Sequence, residues 1–242
     1  MKTNQDPTLN RYLTSDYLQK NPEWDFADTG WKAEKVYKIL VKNKQNPSSI
    51  VEIGCGSGGV LLSLKKFFPK ASLTGVDIAP GAKRFWKKAI KAGIRLELAD
   101  YFSLKEPIPD LILLLDVLEH IANPWSFLTN LHSRSKYIIV HFPLDLSAMS
   151  VIREHPLMKV RDKVGHLHFF TRRLAISLLV ECGYEVIESC YTKASLTAPQ
   201  RSLKTKIAGI IRRILFSINH DFGARLLGGE TLIVLAHPKS SN

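Results

Sequence analysis

Short apolar runs alternate along this chain with longer stretches whose apolar residues recur at i, i+3 and i+4. The short runs read as strands: Ile50-Val51-Glu52-Ile53, then Ser72 to Ile78, Arg95 to Asp100, Pro109 to Asp116, Lys136 to Pro143, Glu185 to Tyr191 and Glu230 to His237. The stretches between them predict helices over Ala33 to Val41, Val60 to Phe67, Pro80 to Ala92, Pro124 to His132 and Arg172 to Cys182. Thr171 reads as the N-cap of the last of these, and Gly183 stands at its C-terminal end. Leu111-Ile112-Leu113-Leu114-Leu115 has no polar interruption, as a strand covered on both faces requires. Strands alternating with helices build a parallel sheet from βαβ units, so the expected fold class is α/β. The sixth and seventh strands are joined without a typical crossover helix unit.

Two segments fall outside that alternation. Leu144 to Gly165 is rich in mixed charges, and Thr192 to Gly229 is predominantly basic. Within the second, Leu203, Ile207, Ile210, Ile211, Ile214, Leu215 and Ile218 share one helical face, with Lys206, Arg212 and Arg213 on the other side. A basic amphipathic helix over 203–218 suits contact with an anionic membrane, a lid over an acceptor pocket, an oligomer contact or ordinary packing on a core. A polar prelude carrying Tyr12, Tyr17, Trp24, Phe26 and Trp31 precedes the first helix. The chain therefore divides into an N-terminal helical cap (1–46), a main domain (47–237) with insertions at about 144–165 and 192–229, and a short tail (238–242).

Composition narrows the picture in three ways. A length of 242 residues suits one sizeable α/β domain rather than two full ones. The net charge of +12 points to an anionic partner, whether nucleic acid, membrane surface or substrate, or simply to a basic surface. Cys55, Cys182 and Cys190 lack metal-ligand spacing and fit reduced thiols better than a disulfide framework, and no metal is expected. The N-terminus lacks the apolar core of a signal peptide, and no apolar run reaches transmembrane length. A cytoplasmic protein is expected, at most peripheral to the inner membrane surface.

The candidate chemistry centres on Glu52-Ile53-Gly54-Cys55-Gly56-Ser57-Gly58-Gly59, where the first strand turns into a helix. Gly54, Gly56 and Gly59 satisfy the dinucleotide spacing G-x-G-x-x-G, while Glu52, Gly54, Gly56 and Gly58 satisfy E-x-G-x-G-x-G. Asp77 ends the second strand about twenty residues later, where a carboxylate can accept hydrogen bonds from both ribose hydroxyls of an adenosine. These two features suit NAD and S-adenosylmethionine (SAM) alike.

The E-x-G-x-G-x-G pattern resembles motif I of the class I SAM-dependent methyltransferases. Asp116-Val117-Leu118-Glu119-His120-Ile121 resembles the D-V-L-E-H pattern that follows the fourth strand in their small-molecule members. The segment from Asn21 to Ala33 is similar to the lead-in of many bacterial methyltransferases, which folds over the cofactor. The resemblance implies a Rossmann-like, seven-stranded, mostly parallel sheet with helices on both faces and an antiparallel seventh strand beside the sixth. It implies SAM as cofactor and S-adenosylhomocysteine (SAH) as product. Gly54, Gly56 and Gly58 would approach the methionine moiety, with Glu52 shaping the loop. Asp77 and Ile78 would meet the ribose, Asp100 the adenine amino group with Tyr101 beside the base, and Asp116 the border of the pocket.

Methyl transfer needs donor and acceptor held in line and, for some acceptors, a group to remove a proton. Histidine suits that task near neutral pH, and His120, His141, His166 and His168 all fall at strand ends or loops on the expected carboxyl edge of the sheet. His166 is the first candidate, since Gly-His before an aromatic pair and a helix cap recurs near the acceptor in the resembling family; His120 is the second. Each also has a structural reading as a hydrogen-bonding group. The expected function is methyl transfer to a small-molecule acceptor, lipid-linked or glycan-like, at oxygen in preference to nitrogen or carbon. An RNA methyltransferase is the alternative that the charge motivates, although no appended RNA-binding module is visible. A NAD-dependent oxidoreductase would share the glycine turn and Asp77 but lacks a second dinucleotide half. The oligomeric state is left open.

Overall fold

The computed structural model describes residues 7–14, 16–24, 26–105, 107–199 and 203–239, with the backbone alone at 7, 203–208, 210 and 211. Strands β1 (Ser49–Ile53), β2 (Ser72–Asp77), β3 (Arg95–Leu98), β4 (Leu111–Leu115), β5 (Tyr137–Leu144), β6 (Tyr184–Tyr191) and β7 (Glu230–Pro238) form one seven-stranded sheet. Their order is β3-β2-β1-β4-β5-β7-β6. The first five run parallel, and β7 lies antiparallel between β5 and β6. The α/β, Rossmann-like arrangement expected from the sequence is the one observed. The helices are α1 (Asn10–Leu13), α2 (Asp16–Lys20), α3 (Thr29–Lys42), α4 (Gly59–Phe67), α5 (Lys87–Lys91), α6 (Pro124–Leu131), α7 (Ala148–Arg153), α8 (His155–Lys163), α9 (Arg172–Glu181), α10 (Ala194–Thr197), α11 (Leu203–Ile218) and α12 (His220–Leu227).

The unbroken apolar run of β4 is explained by two cores, one on each face of the sheet. Ile112 and Leu114 pack with Leu128 and Leu131 of α6 and with Ala175, Leu178 and Leu179 of α9. Leu111, Leu113 and Leu115 pack with Ala33, Val36 and Leu40 of α3 and with Leu61 and Leu64 of α4. Successive strand residues point to opposite faces, so a strand roofed on both sides has no position for a polar side chain. This central strand places the turn that follows it at the middle of the sheet's carboxyl edge.

The structure refines the expected elements. Residues 80–92 are not one helix: Pro80–Phe85 winds as a 3-10 turn before the short α5. The insertion at 144–165 carries α7 and α8, with Ser147 and Ser150 forming a reciprocal capping box at the start of α7. On α11 the polar side is not free. Arg212 is half-buried and donates from Nε to the carbonyl of Gly228 at 3.3 Å, because the Gly228-Gly229 turn after α12 packs against it. Phe216, absent from the predicted stripe, is buried there, whereas Ile214 and Ile218 are exposed. The side chains of Leu203, Lys206, Ile207, Ile210 and Ile211, together with residues 1–6 and the end of the tail at 240–242, lie outside the described residues.

The two excursions are tied down by specific contacts. Arg11 donates to the carbonyls of Arg161 and Asp162 at 3.0 and 3.2 Å, Lys20 to that of Asp162 at 3.1 Å, and Asn21 to that of Lys163 at 3.3 Å. These carbonyls belong to the last turn of α8, which lacks intrahelical donors and favours positive charge. The cap and the first insertion thus close on each other. In the second insertion, buried Glu230 bonds His220 at 2.9 Å and accepts from the backbone N–H of Ala194 at 2.9 Å. The His220 ring is stacked on both Tyr191 and Phe216, with centroids 4.3 and 4.5 Å away.

Leu113 is fully buried and Ile218 largely exposed. Leu113→Ala should cost about 2–5 kcal/mol in urea denaturation, while Ile218→Ala should stay within about 0.5 kcal/mol of the parent.

Candidate active site

Between β1 and α4 the backbone turns through Gly54, Gly56 and Gly58, with φ of +71°, +50° and +71°. Side chains are strained in that region, so the repeated glycines follow from the turn itself. Space is also short: a Cβ on Gly54 would stand 2.8 Å from Val117 Cγ2, and one on Gly56 would stand 2.6 Å from Trp24 Nε1. Asp77, buried at the end of β2, pins this turn by accepting from the backbone N–H of Gly56 at 2.7 Å and of Ala79 at 2.8 Å. Burial pushes its carboxyl up from the usual range, and those backbone donors oppose the rise. Cys55 faces inward in the same turn, and burial holds its thiol well above its ordinary pKa, as suits a packing residue rather than a nucleophile.

Glu52 lies on β1 beside the turn. It is 3% exposed, its Oε2 has no hydrogen-bond partner, and burial raises its pKa to about 8 despite the opposing charge of Lys32. An unpartnered buried carboxylate oxygen is costly, and such a group is a place for a donor that arrives with a ligand.

After β4 the chain turns sharply at Asp116, a non-glycine residue with φ of +56°. Its Oδ2 meets Lys32 Nζ of α3 at 2.7 Å, and its Oδ1 meets His141 Nδ1 of β5 at 2.6 Å. His141 Nε2 continues to Thr231 Oγ1 of β7 at 2.8 Å, and Thr231 bonds Thr192. Burial alone would raise the Asp116 carboxyl, but His141 and Lys32 outweigh it and hold the group well below the usual carboxylate range. The side chain of Asp116 is thereby fully engaged within the protein.

One turn further on, Glu119 is completely buried with no partner for either carboxylate oxygen, and burial together with the charge of Asp116 pushes its pKa well up. Its backbone carbonyl accepts from the N–H groups of Leu167 and His168 at 2.7 and 3.2 Å, which draws the 165–168 loop alongside. His120 and His166 consequently meet, with ring centroids 4.9 Å apart, and each Nε2 stands 3.9 Å from Glu119 Oε1. His166 Nδ1 bonds Asp145 Oδ2 at 2.7 Å, and His120 Nδ1 bonds the Tyr12 hydroxyl of the cap at 2.8 Å. Burial and the neighbouring His166 push His120 down to about 4, so it is neutral near pH 7. His168, by contrast, reaches the carbonyl of Ile121 at 3.0 Å and serves to hold the loop.

A cavity of about 230 Å³ joins these groups; Trp24, Lys32, Glu52, Gly54, Gly56, Asp116, Glu119, His120, His166 and Thr231 all line it. A second space of about 130 Å³ adjoins it across Tyr17 and Trp24 and is lined by Asp77, Ile78, Ala79 and Val117. The structure therefore gathers Glu52, Gly54, Gly56, Asp77, Ile78, Asp116, His120 and His166 around one region. Gly58, Asp100 and Tyr101 line neither cavity. Gly58 backs onto Leu96, Asp100 caps its own turn by accepting from the N–H of Phe102 at 3.0 Å, and Tyr101 is buried in the core. Lys32, Asp145 and Thr231 carry no signal in the sequence, whereas Tyr12 stands among the aromatics of the prelude and Glu119 between Asp116 and His120.

A family model described as a methyltransferase domain matches residues 27–189. The trans-aconitate 2-methyltransferase of Methylobacterium nodulans is 34% identical over 86 residues, 35% of this chain and 33% of that protein. The malonyl-[acyl-carrier protein] O-methyltransferase of Anoxybacillus flavithermus is 57% identical over 35 residues, 14% of each chain. The matched stretch thus spans a third or less of the length of these curated relatives. Among solved structures, the plantazolicin methyltransferase BpumL, in complex with a pentazolic desmethylPZN analog and SAH, is similar with a TM-score of 0.60 and 17% identity, covering 96% of this chain and 97% of that one. At that identity the likeness speaks for the fold. With the family match over 27–189, the glycine turn and the motif after β4 in place, the chain belongs to the methyltransferase-domain family, the SAM-dependent class I methyltransferases that its sequence resembles.

Proposed function

We propose that this chain transfers a methyl group from SAM to an oxygen of a small-molecule acceptor, with residues 47–237 as the SAM-binding domain and residues 1–46 as its cap. The observation that carries the reading is the buried, unpartnered Glu52 Oε2 beside a turn whose glycines leave no room for side chains. These residues fit the cofactor: the bare turn admits a ligand to the backbone, and Glu52 offers an acceptor to its ammonium group. Asp77 and Ile78 at the adjoining space would hold the ribose. Gly58 sets the entry to α4, while Asp100 and Tyr101 are assigned to the adenine on the resemblance alone.

The bound donor supplies a methyl carbon already activated by sulfonium charge. The chain's own part is positioning and proton handling. Lys32 and His141 fix Asp116, so the wall of the cavity cannot shift toward the reacting centre. Asp145 holds His166 with Nε2 turned to the cavity, where it can take the proton of an acceptor hydroxyl; His120 lies beside it. The cap closes over α8 beside the cavity. One relative is by its name an O-methyltransferase of malonyl-[acyl-carrier protein], which favours oxygen as the target here.

A lipid-linked acceptor is supported by the surface of the insertions. Val151, Ile152, Ile214, Ile218 and Phe222 stand exposed on α7, α11 and α12, which pack together, and Arg153, Arg213 and Arg225 are exposed among them. Among the described residues no helix is long and apolar enough to cross a membrane. The protein should co-sediment with phosphatidylglycerol vesicles and lose that binding in the double variant Ile214→Glu, Ile218→Glu. Equal recovery of parent and variant would remove the membrane reading.

Isothermal titration with SAH, NAD and NADP tests the cofactor reading; saturable binding of SAH alone is expected. Because Glu52 is largely protonated below pH 8, pairing it with an ammonium group releases a proton. SAH affinity should therefore rise by up to about tenfold per pH unit from pH 6 towards pH 7.5, and Glu52→Gln should flatten that slope. A slope identical in both proteins would place the ammonium elsewhere.

A further inference from the structure

We infer that Glu119, His120 and His166 form a binding site for one divalent first-row transition cation that faces the proposed acceptor cavity. The three residues bring two imidazole nitrogens and a carboxylate within 4.8 Å of one another, and all three line the 230 Å³ cavity. Separations of 3.9 Å between Glu119 Oε1 and each Nε2 are within a small contraction of the spacing that ligand atoms keep around one ion at about 2.0–2.2 Å.

The hydrogen bonds behind the rings make both Nε2 atoms ligand-ready. His166 Nδ1 lies 2.7 Å from Asp145 Oδ2, a carboxylate that can only accept, so the ring proton sits on Nδ1 and Nε2 keeps its lone pair. Tyr12 donates its hydroxyl proton to the carbonyl of Val164 at 3.1 Å, which leaves its oxygen free to accept from His120 Nδ1 at 2.8 Å; in that tautomer the Nε2 of His120 carries the lone pair. A partner of this kind on the far nitrogen is the usual support of a metal-bound histidine. Glu119 then explains itself. It is completely buried, neither of its oxygens has a hydrogen-bond partner, and the Nε2 atoms of His120 and His166 stand 3.9 Å from its Oε1. A dication is the species that satisfies all three groups at once. Two imidazoles with one carboxylate select first-row divalent ions over calcium and magnesium, which prefer all-oxygen sets.

Three protein ligands leave coordination positions open, and the cavity lies on that side. The inference rests on the proposal that the acceptor occupies this cavity: a bound cation would then hold the acceptor's oxygen and lower the pKa of its hydroxyl, releasing the proton to solvent. In the loaded protein His166 is a ligand rather than the proton acceptor.

Chelator-treated protein should be titrated with Co²⁺ and Zn²⁺ by calorimetry, with the visible absorption of Co²⁺ as a second readout, and with SAH titrated in parallel. One Co²⁺ per chain with a visible ligand-field band is expected. His166→Ala and Glu119→Gln should each weaken binding by about tenfold or more, with SAH affinity within about twofold of the parent. SAH binding also reports that each variant is folded. Absence of stoichiometric Co²⁺ and Zn²⁺ binding, or unchanged affinity in both variants, overturns the inference. Loss of SAH binding by the parent strikes the proposed function instead, so the two failures are distinguishable.

Discussion

The Asp116 carboxylate is the point on which the site depends. It sits in a left-handed turn at the end of the central strand, and its two oxygens are taken by Lys32 and His141, which belong to the cap helix and to β5. Through His141 the same link reaches Thr231 on β7. One carboxylate thus ties together α3, the middle of the sheet and its last strand. Burying ions is expensive, and a pair of this kind contributes little net stability over an apolar substitute; removing one member is what costs most, about 3–5 kcal/mol. Its value is positional. The strained turn at Asp116 persists because both neighbours hold it, and that turn delivers Glu119 and His120 to the cavity.

The second organising contact is the closure of the cap over the first insertion. Much of their joining is done by side chains reaching the terminal carbonyls of α8. Tyr12 contributes to that seam and also supports His120, so the geometry of the reactive region is coupled to whether the cap is seated. Trp24 lies on the other side of the same seam. Its ring rests against Gly56, Gly81 and Tyr17, on the wall shared by both cavities.

Much of this architecture was legible in the amino-acid order, for reasons that differ from element to element. The β4 run announced a doubly covered strand because no other environment accepts five consecutive apolar residues in extended backbone. The glycine turn announced a ligand-bearing loop, yet its spacing served two cofactors; the motif around Asp116 separated them. Asp100 differs: its side chain caps the following turn, a use open to any aspartate after a strand, and its assignment to the adenine rests on the resemblance alone. Lys32 and Asp145 were hidden because their roles arise from contacts 84 and 21 residues away, which no local periodicity encodes. On α11 a similar reason applies: the turn that follows α12 packs on one residue of its polar stripe, so Arg212 is drawn inward while Arg213 stays exposed.

The position of β7 bears on how the chain can reach this state. Among the described residues β6 pairs with β7 alone, and β7 arrives only after the helices of 192–229. As the polypeptide emerges from the ribosome, β6 must wait for some forty residues, and the open edge of β5 for more than eighty, before either finds its neighbour, a strongly non-local pairing of the kind that slows folding. During that interval two strand edges stand open together, and the histidine of β5 lacks the threonine that later orients it. Assembly of the reactive region is therefore a late event in synthesis, and exposure of those edges to other nascent chains is set by how quickly the intervening helices are translated.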